Sequence, residues 1–142
     1  MFTKIICKAI TKIHAPEISL KFTDEGSTYN AAESIINLDL HEEEDSKAFL
    51  EDLKANHYFD GSHFCMPLWS LLHELGHYNN DDTLDEDELD YDEYFRYLIA
   101  TNMIEPENYY KLPKEFEATE WAVSEIRKHH TIYRFLSFLM TV

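Results

Sequence analysis

The amino-acid sequence predicts an α+β fold, with a small antiparallel sheet near the N-terminus and a mainly helical remainder. Three observations carry this reading. Residues 17–23 (Glu-Ile-Ser-Leu-Lys-Phe-Thr) alternate polar and apolar, the period of a half-buried strand. Elsewhere apolar residues recur at three- and four-residue spacing, the period of a helix with one buried side. Only three glycines and four prolines occur in 142 residues, which leaves little room for long irregular stretches.

Residues 2–13 read as a first helix, with Phe2, Ile5, Ile6, Ala9, Ile10 and Ile13 on one side and Pro16 closing it. The strand at 17–23 comes next, then a turn at Asp24-Glu25-Gly26-Ser27. A second strand fits within 29–40, best at Ser34-Ile35-Ile36-Asn37-Leu38, and is expected to pair antiparallel with the first. Residues 42–56 read as a helix through Phe49, Leu50 and Leu53. Residues 58–65 are mixed. Pro67 sits where a first helical turn tolerates it, and the helix it opens runs through His77 to a stop at Asn79-Asn80-Asp81-Asp82.

Nine of the thirteen residues from 81 to 93 are Asp or Glu. The run lacks the glycine of a calcium-binding EF-hand loop and reads as a solvated segment leading into a helix through Tyr91, Tyr94, Phe95 and Leu98. Pro106 and Pro113 punctuate the stretch after that helix. Residues 114–128 read as another helix and 131–140 as the last, with Ile132, Phe135, Leu136 and Leu139 aligned. Neither a repeat nor a linker interrupts the chain, so a single domain over 1–142 is expected.

The formal charge of −16 repels phosphate backbones and argues against nucleic acid; it favours basic partners. Cys7 and Cys65 are too few and too far apart in sequence for a disulfide framework or a CxxC pair, and read as buried thiols. Lysines interrupt the apolar N-terminus, unlike a signal peptide, and no run approaches a membrane span. A soluble, cytoplasmic protein without membrane or nucleic-acid partners is expected. Its oligomeric state is left open.

The chemistry concentrates in His73-Glu74-Leu75-Gly76-His77, an HExxH sequence. Residues four apart share one helix face, so two imidazoles can converge on one ion. The intervening Glu is turned about 100° away, toward a water on the metal. With His73 at zero on the helical wheel, His77 falls at about 40°, while Leu71, Leu75 and Leu68 fall at about 160° to 220°. The histidines thus oppose the leucines, and Gly76 is expected to leave room beside the metal. Chance alone would produce such a motif in roughly one chain in twenty of this composition; the helical context and the opposed faces raise it above that level.

A hydrolytic zinc site needs a third protein ligand and one open position. Residues 115–122 (Glu-Phe-Glu-Ala-Thr-Glu-Trp-Ala) offer three carboxylates. Phe116, Thr119, Ala122, Val123 and Ile126 form the apolar side of that helix, with Glu117 away from it, Glu115 nearer to it and Glu120 nearer its flank. Spacing does not separate the three.

Leu72-His73-Glu74-Leu75-Gly76-His77 followed by Glu115-x-Glu117-Ala118-x-x-Trp121-Ala122 resembles the ImmA/IrrE metallopeptidase family, over residues 68–124. That family pairs HELGH with a downstream E-A-N-x-F-A helix; this chain has Thr119 in place of Asn, Trp121 in place of Phe, and a long acidic stretch between the motifs. The resemblance implies a zincin-like active-site helix and a Zn2+ hydrolase cutting peptide bonds. His73, His77 and Glu117 would be the metal ligands and Glu74 the general base. It further implies a protein or peptide substrate, and an origin of the kind common in phages and mobile elements, where several members act on a repressor.

Tyr78, Tyr109, Tyr110, His129 and His130 are candidates for an oxyanion donor. Glu120 is a candidate to orient a ligand histidine, and the sheet edge to bind an extended peptide. His14, His41, His57 and His63 have no ligand spacing. Two other functions fit the same residues: an acidic binding protein that mimics DNA, and a zinc-bound but inactive relative.

Overall fold

A computed structural model describes residues 2–41, 46–80 and 84–142. The order is α1 (Thr3–His14), β1 (Ser19–Thr23), β2 (Thr28–Asn30), β3 (Ile35–Asp39), α2 (Ser46–Asn56), α3 (Met66–Asn79), α4 (Glu86–Ala100), α5 (Pro113–Lys128) and α6 (His130–Thr141), with a 3-10 turn at Pro106–Lys111 between α4 and α5. The α+β class holds. The start of the expected helix at 42–56 and the head of the acidic run, residues 81–83, lie outside the described residues.

The sheet is mixed, with strand order β1-β3-β2. β1 and β3 run parallel, Ser19 opposite Ile35 and Thr23 opposite Asp39. This corrects the expected antiparallel pairing of those two segments. The short β2 supplies the reversal, pairing antiparallel with β3 from Thr28–Asn37 to Asn30–Ile35. β3 takes the centre because it is the most apolar strand, with Ile36 and Leu38 fully buried. The β2–β3 connection turns through Ser34 at a φ of 56°, a left-handed conformation that costs a side-chain-bearing residue some strain.

α3 is the axis of the molecule. Pro67 lies in its first turn, where a missing N–H costs nothing. Leu68, Trp69, Leu71, Leu72 and Leu75 are fully buried, each leucine contributing about 2 kcal/mol by leaving water. The Trp69 indole N–H donates to the Gly61 carbonyl at 2.9 Å. α3 packs most extensively on α5. A Cβ at Gly76 would stand 2.3 Å from the Ala118 carbonyl oxygen and 2.8 Å from its Cα. The glycine therefore makes room for the backbone of α5, not for space beside a metal as the sequence suggested.

α1 and α6 lie side by side, tied by Thr3 Oγ1 donating to the Met140 carbonyl (3.0 Å) and by His14 Nε2 at 3.1 Å from the Tyr133 hydroxyl. Their buried sides differ from the expected ones. α1 buries Ile6, Cys7, Ile10 and Thr11 and leaves Ile5 and Ile13 exposed; α6 buries Tyr133, Ser137 and Met140 and leaves Ile132 and Phe135 exposed. Both helices are apolar over more than one face, so spacing alone could not select the buried one. Burial raises the Cys7 thiol pKa to about 12, with nearby Cys65 adding to it. No helix among the described residues is long and apolar enough to cross a membrane.

Candidate metal centre

His73 and His77 stand one turn apart on the last two turns of α3, half-buried, their rings edge to face at 4.8 Å. Facing them is Glu115, in the first turn of α5 and 2 % exposed. Its Oε1 is 3.0 Å from His73 Nε2 and 3.1 Å from His77 Nε2. These three residues form the one group among the described residues whose ligand atoms, within 4.8 Å of one another, could hold a metal ion. Donors bound to one zinc at about 2.0–2.1 Å in a tetrahedron stand about 3.3 Å apart. The observed separations therefore suit a hydrogen-bonded trio and, with a few tenths of an ångström of give, three ligands of one small cation.

The structure brings Glu115, not Glu117, to the two histidines. Two residues along a helix turn the side chain about 200°, and the face of α5 that meets α3 carries Glu115, Ala118, Thr119 and Ala122, all buried. Glu117 lies off that face and lines the adjoining cleft.

Around the trio the chain supplies a fixed surround. His73 Nδ1 is 3.1 Å from Thr119 Oγ1. With its proton on Nδ1, the ring donates to the threonine and keeps the Nε2 lone pair for a cation. Glu115 Oε2 accepts from Arg96 at 3.1 Å, and Arg96 is held in turn by Asp92 through Nε (3.2 Å) and Nη2 (3.0 Å). The other oxygen of Asp92 accepts the Lys114 backbone N–H at 3.0 Å and so caps the start of α5. Asp92 is 2 % exposed. The acidic run thus ends in a buried brace between α4 and the candidate ligand. A capping box at Asp85 and Glu88 starts that helix.

Electrostatics obey the geometry. Burial alone would raise the Glu115 pKa, but the two imidazoles outweigh it and hold the carboxyl well below its usual range. Burial would likewise lower His73, and Glu115 outweighs it to raise the imidazole. Tyr109 is pushed up, by burial first and then by the Glu115 carboxylate beside it, so its hydroxyl keeps its proton. The guanidinium of Arg96 lies 5.4 Å from the Tyr109 ring centre.

A cleft of about 320 Å3 opens beside the trio. Its walls include Glu74 and His77 from α3, Asn80 just past the end of that helix, Arg96 from α4, Tyr109, and Lys114, Glu115 and Glu117 from α5. Leu84 and the stretch Ser27, Thr28, Tyr29 and Ala31 complete it, so the outermost strand on that side, β2, borders the opening. Glu74 is 7 % exposed and faces this space, in keeping with its position beside His73.

Of the other expected residues, Tyr109 stands beside Glu115. Tyr78 packs on Tyr29 and Tyr110 on Phe49. His129 lies 4.0 Å from Glu125, and His130 packs on Phe64. Glu120 bonds to Nδ1 of buried His57, not to a candidate ligand; Thr119 occupies the orienting place. His57, which had no partner by spacing, also faces Asp52 at 3.5 Å. Thr119 shares the apolar side of α5 in sequence, and its hydroxyl is the signal that marks this role. For the brace, the signal was Asp92-x-x-x-Arg96, a cation one turn beyond an acid in a segment otherwise without basic residues.

No protein-family model, no curated protein and no solved structure matches the chain.

Proposed function

We propose that the protein is a zinc-dependent metallopeptidase. The observation that carries this is the convergence of His73 Nε2, His77 Nε2 and Glu115 Oε1, with Glu74 on the wall of the same cleft. Two imidazoles and one carboxylate are a donor set that suits zinc and leaves a fourth position open. Glu115 replaces Glu117 as the proposed third ligand. Glu117 remains a cleft residue, within reach of a substrate. Zinc, when bound, supplies Lewis acidity that acidifies a water and polarises a carbonyl.

The chain's own groups do the rest. Glu74 takes the proton of the attacking water on its carboxylate and returns it to the leaving amine. Thr119 fixes the His73 ring, and Arg96 fixes Glu115 so that Oε1 faces the histidines. The protonated Tyr109 hydroxyl, on the cleft wall, is the proposed donor for charge developing on the carbonyl oxygen. The outer edge of β2 pairs with an extended peptide, which makes protein or peptide the substrate class. The cytoplasm, where a thiol-bearing chain without disulfides is at home, is the proposed location.

Glu74→Gln tests the reading. The variant should bind zinc as tightly as the wild type and lose at least about 1,000-fold in peptide hydrolysis. Full activity in Glu74→Gln, or a wild type that takes up no zinc, would sink it.

A further inference from the structure

The pair α1–α6 carries an apolar face that nothing among the described residues covers. Ile5, Ile13, Ile132, Phe135, Phe138 and Val142 are each between 58 % and 78 % exposed. On α6, residues 132, 135 and 138 recur at three-residue spacing, with Val142 just past its end, and share the outward side, opposite the buried Tyr133, Ser137 and Met140. On α1, Lys4 and Lys8 reach over the Phe22 ring of β1, so the sheet flanks that side of the helix. Ile13 and Ile5 lie around the other side, with Lys12 at the margin. Arg134 bounds the patch on α6. Together the six apolar residues expose roughly 800 Å2, taking about 200 Å2 for a large apolar residue. A typical monomer's largest apolar patch is about 300–600 Å2, and one partner of a stable complex contributes about 800 Å2.

Charge is segregated in the same way. Residues 1–16 and 126–142 contain none of the 28 Asp and Glu residues and six of the 12 Lys and Arg. An apolar centre rich in phenylalanine, on two helices that carry no Asp or Glu and are rimmed by cations, has the make-up of a protein–protein interface. On a chain of charge −16 it is also where two copies meet without opposing carboxylates.

We propose that this face is the interface of a homodimer, in which the α1–α6 pairs of two copies pack on one another about a two-fold axis. The same patch serves both copies, so Phe135 and Phe138 of each sit near the centre. The assembly is a four-helix layer of the kind that helix pairs form when their outer sides are apolar. It does not depend on the proposed metal. α6 meets α3 at its N-terminal end, where the Cys65 backbone N–H donates to Ser137 Oγ at 2.8 Å. The histidines lie near the opposite end of α3, so both clefts stay open in the dimer.

Sedimentation equilibrium of the full chain from about 1 to about 100 µM tests this. The wild type should approach twice the monomer mass as concentration rises. The double variant Phe135→Glu, Phe138→Glu should stay monomeric throughout with the helical circular dichroism of the wild type, since both side chains are exposed in the single chain. If the double variant fails to fold, the milder Phe138→Ser must weaken the dimer at least about tenfold. A wild type that is monomeric at the highest concentration overturns the proposal, as does a dimer that either variant leaves unchanged. Phosphatidylserine vesicles supply a separate arm. A wild type that is monomeric in solution and pelleted by those vesicles, while the double variant is not, overturns the dimer in favour of a lipid surface.

Discussion

Two helix pairs in this molecule invert the usual rule in opposite senses. Between α3 and α5 polar groups are buried among the leucines and alanines: Glu115 and Thr119 are 2 % and 0 % exposed, and His73 leans on both. Between α1 and α6 the exposed side is apolar, with Ile132, Phe135 and Phe138 facing out. Burying a carboxylate costs several kcal/mol unless partners offset it, and leaving a large apolar patch in water forgoes roughly 25 cal/mol per Å2. The imidazoles and Arg96 offset the first cost within the fold; nothing among the described residues offsets the second. The contrast separates the two proposals: the first pair borders a cleft into which a substrate would enter, and the second offers a surface against which a second copy would lie.

Breaking the first pair gives the largest expected effects. Gly76→Ala drives a methyl into the Ala118 backbone, which cannot move as a side-chain tip can. It should cost about 3 kcal/mol and lower the thermal midpoint by roughly 10 °C; an unchanged melting curve would show that the two helices can separate freely. Glu115→Ala should weaken zinc binding by at least about 100-fold, whereas Glu117→Ala should change it by less than about threefold, read by titration against a chelating dye. Equal losses would return the third ligand to an open question. Thr119→Val leaves the His73 Nδ1–H without its acceptor and should weaken zinc by about 10-fold.

A fourth prediction concerns pH. Burial would lower the pKa of His57, but Asp52 and Glu120 outweigh it and raise it above the usual histidine value. A raised folded pKa contributes stability that is full below the unfolded value of about 6.5 and is lost as pH rises through the folded one. Denaturant unfolding of His57→Asn should therefore show a larger loss against the wild type at pH 6 than at pH 9. A loss that grows with pH would mean that the imidazole is buried neutral. The second helix pair gives the smallest effect. Ile13→Lys, at a site 78 % exposed, should shift monomer stability by less than about 0.5 kcal/mol when measured at dilute concentration.

The sequence made much of this legible. Every α-helix announced itself by apolar spacing, and the two histidines by four-residue separation, because both signals are local. What was not legible depended on non-local choices. β1 and β3 pair in parallel because a three-residue strand, too short to stand out as an alternation, intervenes between them. Glu115 and Glu117 differ only in which side of α5 meets α3, and that is decided where Gly76 lets the two backbones close. Arg96 lies 19 residues from Glu115 in sequence and becomes its neighbour only once α4 has folded back. In α1 and α6 the apolar residues outnumbered one face, so the pattern had two answers.

The brevity of β2 has a consequence of its own. An open sheet edge invites any extended chain to pair with it, and long flat edges seed aggregation. Thr28–Asn30 spans only about 10 Å, with room for a short run of guest backbone and no more. Two such edges offer each other too few hydrogen bonds to hold, so the strand can receive a visitor without becoming a template for fibrils.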